Sequence, residues 1–511
     1  MKTKLNSKNI FKWEIGILIL VLLIYVLYIA LNKTMMTFNC DNFFQFAHAE
    51  YLFNHGFPTE EPLRMHENFS FMMPQWLFAS IITFLKNTFG NKAVALLYGL
   101  PLLLINGFLF FSLIKQFENK GNEATGVMYF VGALLYFLEM IMFSYLRPYL
   151  FTMFVSYLSF ILIEKYVRTN DWKYLIVIPV LSILEINMHN SLWASIFLVQ
   201  LCYYGSYVIS KLRKENVPFD IKPFIIMTIA CFLAGLINPY GIEYILYIFP
   251  SMQAVEPFKP FIKELQSMLE NSSWLLSFFA FDSIALVYAW KKKIKIPYHF
   301  LFAMAGYGLM AFVSVRSAIF FLTIGQMPLL IVLSNTKFHF ISKKTMQISL
   351  AILSIAVIGI ATLSPFKLHE NRQFYQAVDT LYMMNDGSPT KEPIFTTFDV
   401  GSYALYKGYR VYLDTCAEIY GEEVNHQKDI AEETVRTFYK GSNLVRVKEF
   451  FNQYKFAYCI VDTSNMAKMI EATEQYELVY SCSDIDPKHQ KDEDTYPSVY
   501  TGGWLYKRVE E

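Results

Sequence analysis

Apolar runs close to the ~20 residues that a helix needs to cross a bilayer recur from the N-terminus of the chain to about residue 363. Eleven such runs are placed, at 14–32, 92–114, 125–143, 148–165, 174–188, 191–210, 223–238, 273–290, 297–314, 317–335 and 346–363. Backbone in lipid must satisfy its own hydrogen bonds, so each run is expected to be a helix. The first run lacks a small-residue cleavage site and reads as an uncleaved span rather than a signal peptide. Composition agrees: 54% of the 511 residues are hydrophobic and 17% charged, where a soluble chain carries about 45–50% and about 25%. An ordinary soluble enzyme is thereby excluded, and a net charge of +1 argues against nucleic acid as a partner. The six Cys are scattered without a CxxC, so neither a disulfide framework nor a zinc ribbon is indicated.

Lys and Arg set the expected orientation, because they concentrate in cytoplasmic loops. The segments 2–12, 115–124, 164–173, 211–222, 291–295 and 337–344 together hold twenty of them, and the opposite set holds seven. The N-terminus is therefore expected in the cytoplasm and the C-terminal region outside, in a multi-pass protein of the plasma membrane. Two outer segments, 33–90 and 239–272, exceed what a connector requires, and long loops are more often functional. Beyond Ser364 the composition turns polar, with strand-like pieces at 394–398, 410–413 and 457–461 and helix-like patterning at 444–454. The expected fold is thus a polytopic α-helical membrane protein of eleven spans, with interfacial helices in the first outer loop and a C-terminal extracytoplasmic α/β domain. The division is 1–364 for the transmembrane part and 365–511 for the accessory domain.

The first outer loop carries Cys40-Asp41-Asn42-Phe43-Phe44-Gln45-Phe46-Ala47-His48. A carboxylate in so aromatic a setting near the membrane surface suits general-base work or metal holding; the plainer reading of Asp41 is a helix cap. His55-Gly56-Phe57-Pro58 ends a helix, and Glu60-Glu61-Pro62 follows, where Glu60 and Glu61 either supply a second carboxylate facing Asp41 or form a solvated turn. From Gln75 to Phe89 the apolar spacing predicts a helix lying on the outer leaflet.

Arg147, Glu185, His189, Asp282 and Arg316 are ionisable residues within or beside spans, where such groups are costly and tend to mark sites. Arg147 and Arg316 fall at outer span ends and suit phosphate, which a guanidinium grips through two parallel bonds; snorkelling to the interface is the alternative. Glu185 and Asp282 are also explained by pairing with neighbouring spans. Asp41, His48, Glu61, Arg147, His189, Arg316 and the Asn238-Pro239-Tyr240-Gly241 turn all map to the outer side, which points to a polar cavity at the outer leaflet.

With these residues the chain resembles the C-type (GT-C) superfamily of membrane glycosyltransferases, in its bacterial branch of largely uncharacterised members. The resemblance is carried by the first-loop Asp41 and its aromatic helix ending in His55-Gly56, by Glu61-Pro62 and by Gln75-Trp76-Leu77. Arg147-Pro148, Asn187-Met188-His189, Asn238-Pro239-Tyr240-Gly241 and Arg316-Ser317 continue it, as do Gly401-Ser402-Tyr403 and the run Asp414 to Tyr420. The chain departs from the pattern at Gln45, where members often carry His, and at Cys416, where Arg is usual. No Trp-Trp-Asp run of the oligosaccharyltransferase kind occurs in the tail.

The resemblance implies inverting transfer of a sugar from a polyprenyl-phosphate donor to a glycan or lipid acceptor at the outer face. Asp41 would be the catalytic base, and Glu61, Arg147, His189 and Arg316 would bind substrate. No cofactor is assigned; a divalent metal, Mg or Mn, is left open, with Asp41 and Glu61 as its ligands if one binds. The competing reading is a transporter or flippase of a lipid-linked or polar substrate, which would predict broken helices in two related halves; no internal repeat is found.

Overall fold

The computed structural model describes residues 38, 40–119, 125–143, 146–217, 219–336, 373–440, 443–483 and 502–509. The expected spans 14–32 and 346–363 lie outside the described residues. The chain divides into two compact units: residues 1–37, 89–238 and 263–368 form the first, and 38–88, 239–262 and 369–511 the second.

The first unit is helical. Among the described residues, four of its helices, Asn91–Lys115, Tyr149–Thr169, Asn190–Leu212 and Ser273–Lys292, are long and apolar enough to cross a membrane. Gly126–Glu139, Ile221–Gly235 and Tyr298–Val313 are shorter apolar helices. Val315–Leu322 and Ile324–Asn335 form a fifth candidate span, bent by 47° at its break. Each of these helices falls on one of the apolar runs. At the bend, Thr323 accepts a hydrogen bond from the Tyr157 hydroxyl (2.7 Å), which also contacts Glu139. The Thr323 hydroxyl in turn donates to the Ile319 carbonyl (3.3 Å), a side chain satisfying backbone beside the break. The core is a continuous cluster running from Leu103 through Tyr157, Phe160, Tyr203 and Phe300 to Leu330. Asp282 accepts from Gln326 (2.9 Å), so it pairs with a neighbouring helix.

The second unit joins residues 38–88 and 239–262 to the C-terminal region. Its four-stranded sheet has β1 (Phe395–Thr396), β2 (Tyr458–Val461), β3 (Tyr476–Ser483) and β4 (Gly502–Arg508) in the order β1-β2-β4-β3. β1 runs parallel to β2, and β4 is antiparallel to both β2 and β3. Phe395 sits at the centre of an aromatic core with Tyr412, Phe438, Phe450, Phe451 and Phe456. The helix Leu444–Tyr454, with Asn443 capping its N-terminus, supplies Phe450 and Phe451 from one face. The sequence at 394–398 yields only a two-residue strand, because the helix Phe398–Tyr406 begins at once. The piece at 410–413 contributes a single parallel bridge, Ile394 to Val411.

The first-loop segment folds as the helix Cys40–His55, an irregular stretch, and the helix Trp76–Phe89. Gly56 ends the first helix at φ +85°, a conformation that L side chains rarely adopt, and its N–H bonds to the Leu52 carbonyl (3.0 Å). Phe43 packs edge-on to Tyr375 and Tyr403 (5.5 and 5.0 Å between centroids). Lys86 lies over the Phe46 and Tyr406 rings and bonds Glu50 and the Tyr406 hydroxyl. The helix that carries Asp41 is therefore seated on the helix Phe398–Tyr406. That helix can lie close because Gly401 has no side chain: a Cβ there would stand 1.8 Å from the Leu413 carbonyl oxygen.

Candidate functional site

Three of the expected site residues, Arg147, His189 and Arg316, gather within the first unit. Pro148 fixes the entry into the helix Tyr149–Thr169, which leaves Arg147 at the N-terminal approach to that helix. His189 closes the helix Val177–Met188 at φ −154°, and its N–H bonds to the Glu185 carbonyl (2.7 Å). Arg316 lies in a 3-10 turn, Val315–Ser317, between the apolar helices Tyr298–Val313 and Ala318–Leu322.

The two arginines converge on Glu264, which sequence reading did not single out. Glu264 Oε2 accepts from Arg147 Nη1 (2.5 Å) and from Arg316 Nη2 (3.3 Å). Desolvation in this niche would raise the Glu264 carboxyl, but the two guanidiniums outweigh it and hold the group below the usual carboxylate range. Backbone bonds fix the register. The Arg316 N–H donates to the Glu264 carbonyl (3.0 Å), the Val315 N–H to the Gln266 carbonyl (3.0 Å), and the Ser314 hydroxyl also to the Glu264 carbonyl (2.9 Å). His189 is buried; its Nδ1 meets the Thr152 hydroxyl (2.9 Å), which contacts Glu185 Oε1 (2.5 Å). Glu185 is thus paired to a neighbouring helix. Both guanidiniums act electrostatically on His189, so the cluster is one charged neighbourhood.

Asp41 and Glu61 belong to the second unit. Asp41 stands in the first turn of the helix Cys40–His55 and is half-buried. There a carboxylate also gains from the helix dipole. Gln45, one turn on, is buried between Asn42 and Gln75, accepting from one (2.9 Å) and donating to the other (2.7 Å).

Glu61 lies in a buried ion cluster built around Arg64, a residue the sequence reading passed over. Arg64 is 2% exposed. Its Nη1 contacts Glu61, while Nε and Nη2 grip Asp414 (2.9 and 3.0 Å), and Nε also donates to the Tyr420 hydroxyl (3.1 Å). His48 Nδ1 meets the Phe44 carbonyl (2.8 Å), which leaves Nε2 facing both Glu61 and Arg64 (3.2 Å each). Burial alone would raise the Glu61 carboxyl; Arg64 and His48 outweigh it and bring the pKa down to about 2. Both Glu61 oxygens are committed, since Oε1 also accepts the Leu63 and Arg64 amides (2.9 and 3.2 Å). Among the described residues no three His, Cys, Asp or Glu side chains gather as a metal donor set. Glu61 directs no uncommitted oxygen to an ion, so it does not fit the role of a metal ligand.

The tail motifs are structural supports of this cluster. The Asp414 and Cys416 amides bond the Tyr420 hydroxyl (2.9 Å) and Asp414 Oδ1 (2.8 Å). Ser402 bonds the Thr415 hydroxyl (2.8 Å) and accepts the Thr415 amide (3.1 Å). His66, in the same loop as Arg64, bonds the Tyr412 carbonyl through Nε2 (2.7 Å); burial lowers its pKa to about 4.

No protein-family model and no curated protein matches the chain. Solved structures do. The oligosaccharyltransferase of Archaeoglobus fulgidus in its apo form matches with a TM-score of 0.57 at 11% identity, over 92% of this chain and 73% of that one. The same organism's AglB, in complex with an inhibitory peptide and a dolichol-phosphate, matches with a TM-score of 0.59 at 10% identity, over 96% and 74%. The form tethered to an acceptor peptide gives 0.53 at 10% identity, over 98% and 74%. The chain shares the fold of these proteins. The likeness covers the apolar helices and the C-terminal sheet region together, as the sequence reading of a helical membrane part followed by a polar α/β part anticipated in outline.

Proposed function

We propose that the chain is an integral-membrane glycosyltransferase that moves a sugar from a polyprenyl-phosphate donor to a glycan or lipid acceptor at the outer face of the plasma membrane. The observation that carries this reading is the shared fold with the archaeal oligosaccharyltransferases over more than nine-tenths of the chain. One of them is described with a dolichol-phosphate bound, which is the class of lipid carrier proposed here. The missing Trp-Trp-Asp run in the tail favours a glycan or lipid over a peptide as acceptor. Eleven spans, a cytoplasmic N-terminus and an outer C-terminal region complete the proposed topology.

In the proposed reaction the acceptor hydroxyl attacks C1 of the sugar, and Asp41 takes its proton. The C1–O bond to phosphate breaks with inversion, and the polyprenyl phosphate leaves with the electron pair. Arg147 and Arg316 stabilise charge developing on that phosphate, a contribution that pre-aligned donors make without reorganisation. His189 stands beside them as the third substrate-binding residue. Glu61, whose carboxylate is consumed by Arg64 and His48, serves substrate binding by holding the first loop in shape.

The test uses purified full-length protein and radiolabelled polyprenyl-phosphate sugars. Asp41→Asn is expected to cut transfer about 10²–10⁴-fold, the usual contribution of a general base, with donor binding and folding retained. Arg316→Ala should weaken donor binding and turnover together. Near-normal transfer by Asp41→Asn would remove Asp41 from the chemistry. The broken span at Thr323 is the observation that favours a transporter instead; movement of lipid-linked substrate across vesicles without sugar transfer would decide for it.

A further inference from the structure

Glu264 lies between Arg147 and Arg316 and bonds both. Its Oε2 receives one N–H from each guanidinium, so one carboxylate answers two cationic forks. The three side chains stay open to solvent: Arg147 is 13% exposed, Arg316 36% and Glu264 35%. Arg316 Nε is buried without a hydrogen-bond partner, so the carboxylate leaves part of that guanidinium's donor capacity unused. The Glu264 backbone is pinned independently, by the Arg316 amide and the Ser314 hydroxyl. The carboxylate can therefore swing out while the strand of chain that aligns Arg316 stays in place.

We infer that Glu264 is an internal stand-in for the donor's phosphate: it keeps Arg147 and Arg316 aligned in the resting protein and is displaced when a phosphate binds. The inference rests on the reading of the two arginines as the phosphate-binding pair. A phosphate offers several oxygens and more negative charge to two forks that now share a single oxygen, and guanidinium–phosphate pairs are commonly two-pronged. Exchange of one anion for another avoids leaving two cations facing each other without a counter-charge. It also lets the carboxylate return as the lipid phosphate departs, which assists product release.

The experiment measures binding of farnesyl phosphate and of inorganic phosphate to the detergent-solubilised full chain, by calorimetry. Glu264→Gln keeps the shape but loses the charge, and Glu264→Ala removes the competitor altogether. Both should tighten both ligands about 3–10-fold, since exposed ion pairs contribute modestly. In steady-state transfer the same variants should lower KM and slow product release. Glu270→Gln, a change of the same charge on a carboxylate that caps the helix Met268–Asn271, should alter affinity by no more than about twofold. Unchanged or weaker phosphate binding by both Glu264 variants, with wild type binding normally, would overturn the stand-in and leave the phosphate site itself intact. Equal binding by wild type and Arg316→Ala would instead remove the phosphate site, and the stand-in with it. A uniform gain that includes Glu270→Gln would reduce the effect to general charge and refute displacement.

Discussion

Asp414→Ala is the most informative test of what holds the first loop to the C-terminal region. The substitution strips Arg64 of the carboxylate that engages Nε and Nη2 at 2.9 and 3.0 Å, and it frees the Cys416 amide from its 2.8 Å bond. Glu61 remains, but its single contact with Nη1 cannot satisfy the far side of a guanidinium that is 2% exposed. Removing one partner of a buried pair costs about 3–5 kcal/mol, a large share of the roughly 5–15 kcal/mol that stabilises a typical domain. Cys416 reports the change directly, because it is buried and sits two residues from the lesion. With the other five cysteines replaced, its labelling by a thiol reagent requires opening of this region. A loss of about 3–5 kcal/mol should speed labelling by roughly 10²–10³-fold or more, at 1.36 kcal/mol per decade. Arg64→Met should behave similarly, and the double variant should fall short of the sum by about 1–3 kcal/mol, as for residues in one network. Labelling of Asp414→Ala within about threefold of wild type, under opening-limited conditions, would refute the cluster as the tie.

Acid should loosen the same region in two steps. Burial keeps His66 neutral down to about 4 against an ordinary 6.5, so the unfolded state binds the extra proton and stability falls as pH drops from 6.5 towards 4. Glu61, held at about 2 against an ordinary 4.5, contributes stability above pH 4.5 that is lost as pH falls towards 2. Thermal midpoints across this range should show both phases, and His66→Gln should flatten only the first. Gly401→Ala places a methyl 1.8 Å from the Leu413 carbonyl oxygen; it should lower stability by about 3 kcal/mol or more as helix and chain part, measured as a fall in thermal midpoint. A cysteine at position 440, with Cys416, Cys459 and Cys482 replaced, should react with an impermeant reagent in intact cells; protection until lysis would reverse the proposed orientation.

Features that depend on near neighbours were legible along the chain. Apolar runs produced helices wherever residues are described, since a helix satisfies its backbone locally and its apolar surface needs only an apolar surrounding. Gly56 ended its helix as read, and the pattern at 444–454 became the helix Leu444–Tyr454. Arg147, His189 and Arg316 were visible as costly charges in apolar company, and they do gather. Tertiary structure decided the rest. β3 and β4 were not anticipated, because a strand exists through its partner and β4 finds β2 more than forty residues earlier in the chain. Residues 394–398 read as a strand, yet the helix Phe398–Tyr406, which lies close to Leu413 at Gly401, begins so early that only two residues of strand remain. Glu264 and Arg64 lie in loop segments where nothing local distinguishes them from Lys259 or Glu67. Arg64 meets Asp414 across 350 residues, and only folding removes both from water. Once it does, Coulomb attraction in a low dielectric makes each the other's necessary partner, a relation that no spacing along the chain records.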